Sequence, residues 1–319
     1  MAVSFFLDIR DILKIGNHYF INRMNDMKKK ILMILCLIVC ICFCGCEKER
    51  TNAQIAATTQ PVYEFTTRLC KGTDISVTML ITENVSCLHN YTLHPQQMRK
   101  IENAQLLIIS GAGLEDFLEK ALLQAPQIID ASQNISLICP ETEHNHDHSQ
   151  EHSHENDPHI WLSPANAAKM AENICAGLIE AYPVHTEIFM QNLGSLLDDF
   201  QKLSEYAENA LQELSTNRLI TFHDGFSYMA QVFNLDIIHA IEEESGSETS
   251  AAELKEIINL VKQNHLPAIF TETNGSVSAA EIISRETNVP IYQLDMVMGE
   301  RTYFEAMYHN INTLKEALG

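Results

Sequence analysis

Basic residues are scarce in this chain: 21 Lys and Arg stand against 42 Asp and Glu, a formal net charge of −21 over 319 residues. That deficit excludes a nucleic-acid surface, which needs clustered Lys and Arg to neutralise phosphates. The apolar run Ile31–Cys44 has 14 residues, short of the ~20 that span a bilayer as a helix. The H-E-x-x-H signature of a zinc hydrolase is absent. Its nearest approach, His154-Glu155 to His159, has the wrong spacing and contains the helix-breaking Pro158. There is no G-x-S-x-G nucleophile motif, and Gly111-Ala112-Gly113 lacks the third glycine of a dinucleotide loop. No internal sequence repeat is evident.

Export signals are present. Lys28-Lys29-Lys30 precedes the run Ile31–Cys44, which leads into Gly45-Cys46. A basic segment, a short apolar stretch and a small-residue end make a secretory signal. Gly45-Cys46 resembles the lipobox of bacterial lipoproteins, with Phe43 and Cys44 as departures from it; an uncleaved N-terminal anchor is the alternative. Residues 1–46 are expected to be the leader, with 1–26 as an over-extended start, because Met24 and Met27 also suit initiation. Cys46 would carry the lipid, and residues 47–55 would be a polar tether. Of the other cysteines, Cys70, Cys87, Cys139 and Cys175 lie beyond the leader. They form no C-x-x-C pair, so neither a zinc ribbon nor a thioredoxin-type site is indicated. Outside the cell, disulfides and free buried thiols both remain open.

Beyond the tether the pattern is α/β. Strands are expected at Ala56–Thr59, Ile75–Ile81 and Leu106–Ser110, with helices at Val62–Cys70 and from Gly113 through Leu123. Strands alternating with helices imply a parallel sheet. Residues 141–157 are almost wholly polar and carry His144, His146, His148, His152 and His154, a composition that forms no core and reads as a surface loop. From Glu187 to Leu214 the apolar positions Phe189, Leu193, Leu196, Phe200, Leu203, Ala207, Ala210 and Leu214 recur at alternating steps of four and three. That is the stripe of one amphipathic helix about 42 Å long. It either bridges two lobes or forms a coiled-coil dimer, and bridging is simpler because α/β patterning resumes after it. Strands follow at Leu219–Phe222, Ile237–Ile241, Ala268–Thr271 and Pro290–Leu294, with helices at Ala251–Gln263 and Ala279–Glu286. The expected organisation is an N-terminal lobe at 56–182, a linking helix at 183–216 and a C-terminal lobe at 217–319.

Potential metal ligands recur just beyond strands. His89 follows the Ile75–Ile81 strand by a short loop, and His159 lies in Asp157-Pro158-His159-Ile160-Trp161-Leu162. His223 ends one strand and Asp295 follows another. Ligands of open α/β sheets bind beyond the carboxyl ends of strands, so two facing lobes would bring these four side chains to one cleft. Three imidazoles and a carboxylate suit tetrahedral Zn²⁺, whereas Mn²⁺ would draw in more oxygen. Four protein ligands leave no open position for activated water, which favours binding over catalysis. Taken alone, each histidine also reads as a hydrogen-bonded structural residue and Asp295 as a turn cap; the recurrence carries the argument. Imidazole coordinates only when neutral, so zinc affinity is expected to fall below about pH 6.

These residues carry a family resemblance. Cys87-Leu88-His89-Asn90-Tyr91-Thr92 with Pro95, Asn103-Ala104-Gln105 to Gly111-Ala112-Gly113-Leu114-Glu115, Asp157 to Pro164, His223-Asp224-Gly225-Phe226-Ser227-Tyr228 and Leu294-Asp295 resemble the motifs of metal-specific solute-binding lipoproteins of bacterial ABC importers, from about residue 56 to the C-terminus. The resemblance implies two α/β lobes with parallel sheets joined by one long rigid helix, with metal in the interlobe cleft. It implies transfer of the metal to a permease powered by a cytoplasmic ATPase. It places a protein that is not an enzyme outside the cytoplasm, held at the membrane by lipid on Cys46 and expected to be a monomer. Zinc-type members usually carry His where this chain has His223, and a His-rich loop before the Asp-Pro-His motif; manganese-type members usually have Glu. Manganese or iron cargo and a surface adhesin are the alternatives. His144–His154 would be a low-affinity metal loop or an incidental surface tract, and His94 a spare ligand or a solvated residue. Glu272 would support the site from behind or be a simple surface carboxylate.

Overall fold

The structure, a computed structural model, describes residues 54–83, 88, 91–122, 127–139, 156–242, 249–273, 275 and 277–319. The expected leader, lipid-bearing Cys46, the loop histidines His144, His146, His148, His152 and His154, and His89 lie outside the described residues.

Each lobe is built on a four-stranded parallel sheet. The first holds β1 (Ile55–Ala57), β2 (Val77–Met79), β3 (Leu106–Ile109) and β4 (Ile128–Asp130) in the order β2-β1-β3-β4. Its register pairs Ile55 with both Val77 and Leu106, and Leu107 with Ile128. The second holds β5 (Arg218–His223), β6 (Asp236–Glu242), β7 (Ile269–Glu272) and β8 (Ile291–Leu294) in the order β6-β5-β7-β8. The two sheets share one winding, although their sequences show no repeat. In both, the strand order reverses beside the lobe's first strand, and that switch point opens a crevice at the carboxyl edge.

Helices cover the sheets: α1 (Gln60–Leu69), α2 (Pro95–Asn103) and the short α3 (Glu119–Leu122) in the first lobe, then α4 (Pro164–Ala181). Pro61 sits in the first turn of α1 and Pro95 opens α2, where a missing N–H costs nothing. Ser163 caps α4 by accepting the Asn166 N–H, again with a proline opening the helix. In the second lobe come α6 (Ser227–Val232), α7 (Ala251–Gln263), α8 (Ser278–Thr287) and α9 (Tyr303–Leu318), with Ser250 and Glu253 forming a capping box at α7.

The linking helix α5 spans Thr186–Leu211, 26 residues and about 39 Å. Phe189, Leu193, Leu196, Phe200, Leu203 and Ala207, all on the expected stripe, are buried. They are covered within the chain: Phe200 packs edge-on against Phe65 of α1 and Tyr303 of α9, with ring centroids 5.3 and 5.5 Å apart. The stripe therefore belongs to one continuous core that runs through both lobes, and it needs no coiled-coil partner. Burial of each such aromatic contributes roughly 1.5–3 kcal/mol. Among the described residues, no helix is long and apolar enough to cross a membrane.

Candidate metal centre

His159 lies on the N-terminal side of α4, at the end of a knotted stretch of local bonds. Asp157 Oδ1 accepts the His159 backbone N–H at 2.9 Å and faces His159 Nδ1 at 2.8 Å. Pro158 between them favours this turn because its φ is already set. The segment is also stitched to the other lobe. Tyr228 of α6 donates its hydroxyl to the Asp157 carbonyl (2.9 Å) and accepts the Ile138 N–H (3.0 Å). Trp161 Nε1 donates to the Met296 carbonyl at 2.9 Å, and the Tyr303 hydroxyl donates to the Trp161 carbonyl at 2.8 Å.

His223 is the last residue of β5, at the switch point of the second sheet, with Glu272 ending neighbouring β7. Glu272 Oε1 stands 3.7 Å from His223 Nδ1, and both side chains are buried. Gly225 makes the close approach possible: a Cβ there would lie 2.6 Å from His223 Cδ2 and 2.7 Å from the Met296 methyl.

The two imidazoles meet across the lobes. Their rings are nearly perpendicular (87°) with centroids 5.1 Å apart, and their Nε2 atoms are 3.4 Å apart. Each Nδ1 faces a carboxylate, the arrangement that turns the Nε2 lone pair of a histidine towards a metal. Two such lone pairs repel unless a proton or a cation lies between them. Two nitrogens bound to one tetrahedral zinc at 2.0–2.1 Å are necessarily about 3.3–3.4 Å apart. The observed 3.4 Å separation equals that spacing.

Asp295 follows β8 and is 4% exposed. Its Oδ1 accepts the Val297 N–H at 2.8 Å and its Oδ2 pairs with Arg301 Nη1 at 3.0 Å. Val297, fully buried and β-branched, has φ +61°, a strain on the order of 1–3 kcal/mol. The buried Asn310 side chain brackets Asp295 by accepting its N–H (2.7 Å) and donating to its carbonyl (2.8 Å). Of the four expected ligands, the structure thus brings His159 and His223 together. It holds Asp295 at the same sheet edge but with both carboxylate oxygens already engaged. Among the described residues, no three His, Cys, Asp or Glu side chains stand ready around one metal position.

Gln60, Met79, Ile81, Thr82 and Glu83 of the first lobe face Met298, Gly299 and Glu300 of the second across a cavity of about 190 Å³. Glu83 accepts the Tyr91 hydroxyl at 2.7 Å, and Gln97 Nε2 donates to that hydroxyl at 2.6 Å. These bonds tie together the two sides of the segment that carries His89. His94 opens α2 as its N-cap.

Three further residues shape the site: Asp157, Arg301 and Tyr228. Asp157 was legible, because an Asp two residues before a histidine is a ready acceptor for its Nδ1–H. Arg301 and Tyr228 carry no such signal. Among the described residues, Cys70 and Cys175 are free and buried and Cys139 is free and exposed. Burial, with Cys175 nearby, pushes the Cys70 thiol up to about 12, which leaves it inert. Cys87 lies outside the described residues.

Comparison with known proteins matches residues 55–317 to the family described as zinc-uptake complex component A, periplasmic (ZnuA). Zinc-binding lipoprotein AdcA of Streptococcus pneumoniae is 30% identical over 308 residues, 91% of this chain and 61% of the relative. The chain thus spans less than two thirds of the length of that relative. A crystal structure of ZnuA superposes with a TM-score of 0.74 at 27% identity, covering 84% of this chain and all of the other. The Zn(II)-bound ZnuA-like domain of Streptococcus pneumoniae AdcA superposes with a TM-score of 0.70 at 27% identity, over 83% and 98% of the two chains.

Proposed function

The chain belongs to the zinc-uptake complex component A family, and from that membership we propose that it captures Zn²⁺ outside the cytoplasm and delivers it to an ABC-type importer. The partners are a membrane permease and its cytoplasmic ATPase, and the chain is held at the membrane by lipid on Cys46. The family consists of transport components rather than enzymes. One observation carries the reading: two buried imidazoles, each backed by a carboxylate, present their Nε2 atoms 3.4 Å apart, the spacing that one tetrahedral zinc requires.

In this reading His159, His223, His89 and Asp295 are the ligands. His159 and His223 come prearranged, and Asp295 joins them from the edge of the second sheet. Asp157 and Glu272 orient the two imidazoles. His144, His146, His148, His152 and His154 gather zinc at low affinity and are not part of the tight site. A nitrogen-rich donor set disfavours Mn²⁺ as cargo, because that ion prefers oxygen.

The test is zinc content and chelator competition on the exported chain, compared with a version lacking residues 143–155 and with His223→Ala. One zinc held tightly without the loop, and weakened roughly a hundredfold or more by His223→Ala, supports capture at this site. Tight binding that vanishes with the loop and survives His223→Ala refutes it.

A further inference from the structure

Among the ligands named above, Asp295 is distinctive because a cation already sits on it. Arg301 Nη1 lies 3.0 Å from Asp295 Oδ2; the aspartate side chain is buried and the arginine side chain is 40% exposed. A guanidinium does not lose its charge at any physiological pH. Zinc arriving at Asp295 therefore meets a fixed positive charge that must either leave or share the carboxylate. Arg301 is also anchored from the opposite lobe. Its backbone carbonyl accepts a hydrogen bond from Gln60 Nε2, and Tyr303, two residues further on, donates its N–H to Glu64 Oε2 at 2.8 Å.

The guanidinium also has somewhere to go. Glu305, exposed in the first turn of α9, has its carboxyl held low first by the Thr302 N–H and hydroxyl that it accepts and then by the Arg301 charge. A swing from Asp295 to Glu305 exchanges a buried partner for a solvated one without stranding the cation. His309, on the same helix, lies within the field of both Arg301 and Asp295. Arg301 thus pairs with one carboxylate, a metal ligand in the capture reading, and its charge is felt by a second.

We propose that Arg301 sets the affinity of the site: its guanidinium is an internal counter-cation that competes with zinc for Asp295 and keeps binding weak enough for release. The proposal rests on the capture reading and adds a residue that regulates it. In the empty cleft the pair neutralises a buried carboxylate that would otherwise be costly. When zinc enters, that neutralisation is duplicated, and the surplus positive charge weakens the metal's hold.

Zinc binding and zinc release to a chromogenic chelator are measured for the wild type, Arg301→Gln, Arg301→Lys, Asp295→Asn and the double variant Arg301→Gln/Asp295→Asn. Gln keeps a donor for Asp295 but removes the charge, and Lys keeps the charge without the fork. The expected result is zinc bound about tenfold tighter by Arg301→Gln, the scale of one unit charge acting on a dication through a partly solvated gap. Release slows in proportion, Arg301→Lys stays near the wild type, and the gain disappears in the Asp295→Asn background. Equal or weaker binding by Arg301→Gln, with the wild type still binding zinc in a His223-dependent manner, overturns the competition and leaves capture standing. Loss of His223-dependent binding in the wild type itself overturns both.

Discussion

Asp157 Oδ1 binds both the backbone N–H and the ring Nδ1 of His159, two residues further on, at 2.9 and 2.8 Å. One carboxylate oxygen thereby fixes both the place and the orientation of the imidazole, while Oδ2 is buried without a hydrogen-bond partner. On the far side of the cleft Glu272 stands behind His223. Outer carboxylates of this kind typically contribute 10–100-fold to metal affinity. Asp157→Asn and Glu272→Gln should each weaken zinc binding by about that range, read by chelator competition. Unchanged affinity in both would remove the carboxylates from the site's design.

Gly225 has no positive φ to defend, so its identity rests on space. An alanine methyl would come within 2.6–2.9 Å of the His223 ring and 2.7 Å of the Met296 methyl. Gly225→Ala should push the ring away from His159, weakening zinc by roughly tenfold while costing about 1–3 kcal/mol of stability through overpacking. Titration and urea unfolding read the two effects separately. Wild-type zinc affinity in this variant would mean that the His159–His223 spacing is not critical.

Trp161→Phe deletes the indole N–H that the Met296 carbonyl accepts and leaves that buried carbonyl unpaired. The expected loss is about 1–3 kcal/mol in urea unfolding. Because the bond joins residues of different lobes, zinc release should also quicken. A variant as stable as the wild type would show that water replaces the indole without cost.

Glu115 gives stability a pH dependence. It is buried beneath the turn after β3 and accepts hydrogen bonds from the Thr58 hydroxyl (2.6 Å) and from the N–H groups of Ser110 (2.7 Å) and Gly111 (2.9 Å). Burial outweighs those bonds and pushes its carboxyl from 4.5 up to about 7. A raised acid binds its proton more tightly when folded, so its contribution is complete below pH ~4.5 and is lost as the pH rises through ~7. Between pH 4.5 and 7.5 the wild type should lose up to about 3 kcal/mol that Glu115→Gln does not lose. Parallel unfolding profiles for the two proteins would contradict this.

Much of the scaffold was legible because its signals are local and periodic. The stripe from Phe189 to Ala207 marked the linking helix, and Ala251–Gln263 matches α7 residue for residue. The four strands of the second lobe lie within a residue or two of expectation. What escaped was short or weakly patterned. Three-residue β4 is too brief to show a period. Helix α4 is rich in alanine, which dilutes its apolar stripe, and α2 is almost wholly polar. The segment after Gly113, expected as one helix, begins as a 3₁₀ turn at Asp116–Leu118. Its backbone is already bent there by Ala112 and Gly113 at positive φ.

The sequence by itself determined which chemistry is available: imidazoles and a carboxylate, His223 and Asp295 at strand ends and His159 ahead of a helix instead, held by a two-lobed α/β frame. That much follows from residue types and from periods of 2 and 3.6, which act over neighbouring positions. Only the tertiary structure decided which atoms meet. His159 and His223 are 64 positions apart, and Trp161 and Met296 are 135 apart, far beyond the reach of any local pattern. Arg301 is only six positions from Asp295, yet its pairing depends on how the backbone turns through left-handed Val297 and docks on Gln60. Such contacts depend on how two separately wound sheets are pressed together around α5, and packing of that kind is a property of the whole core.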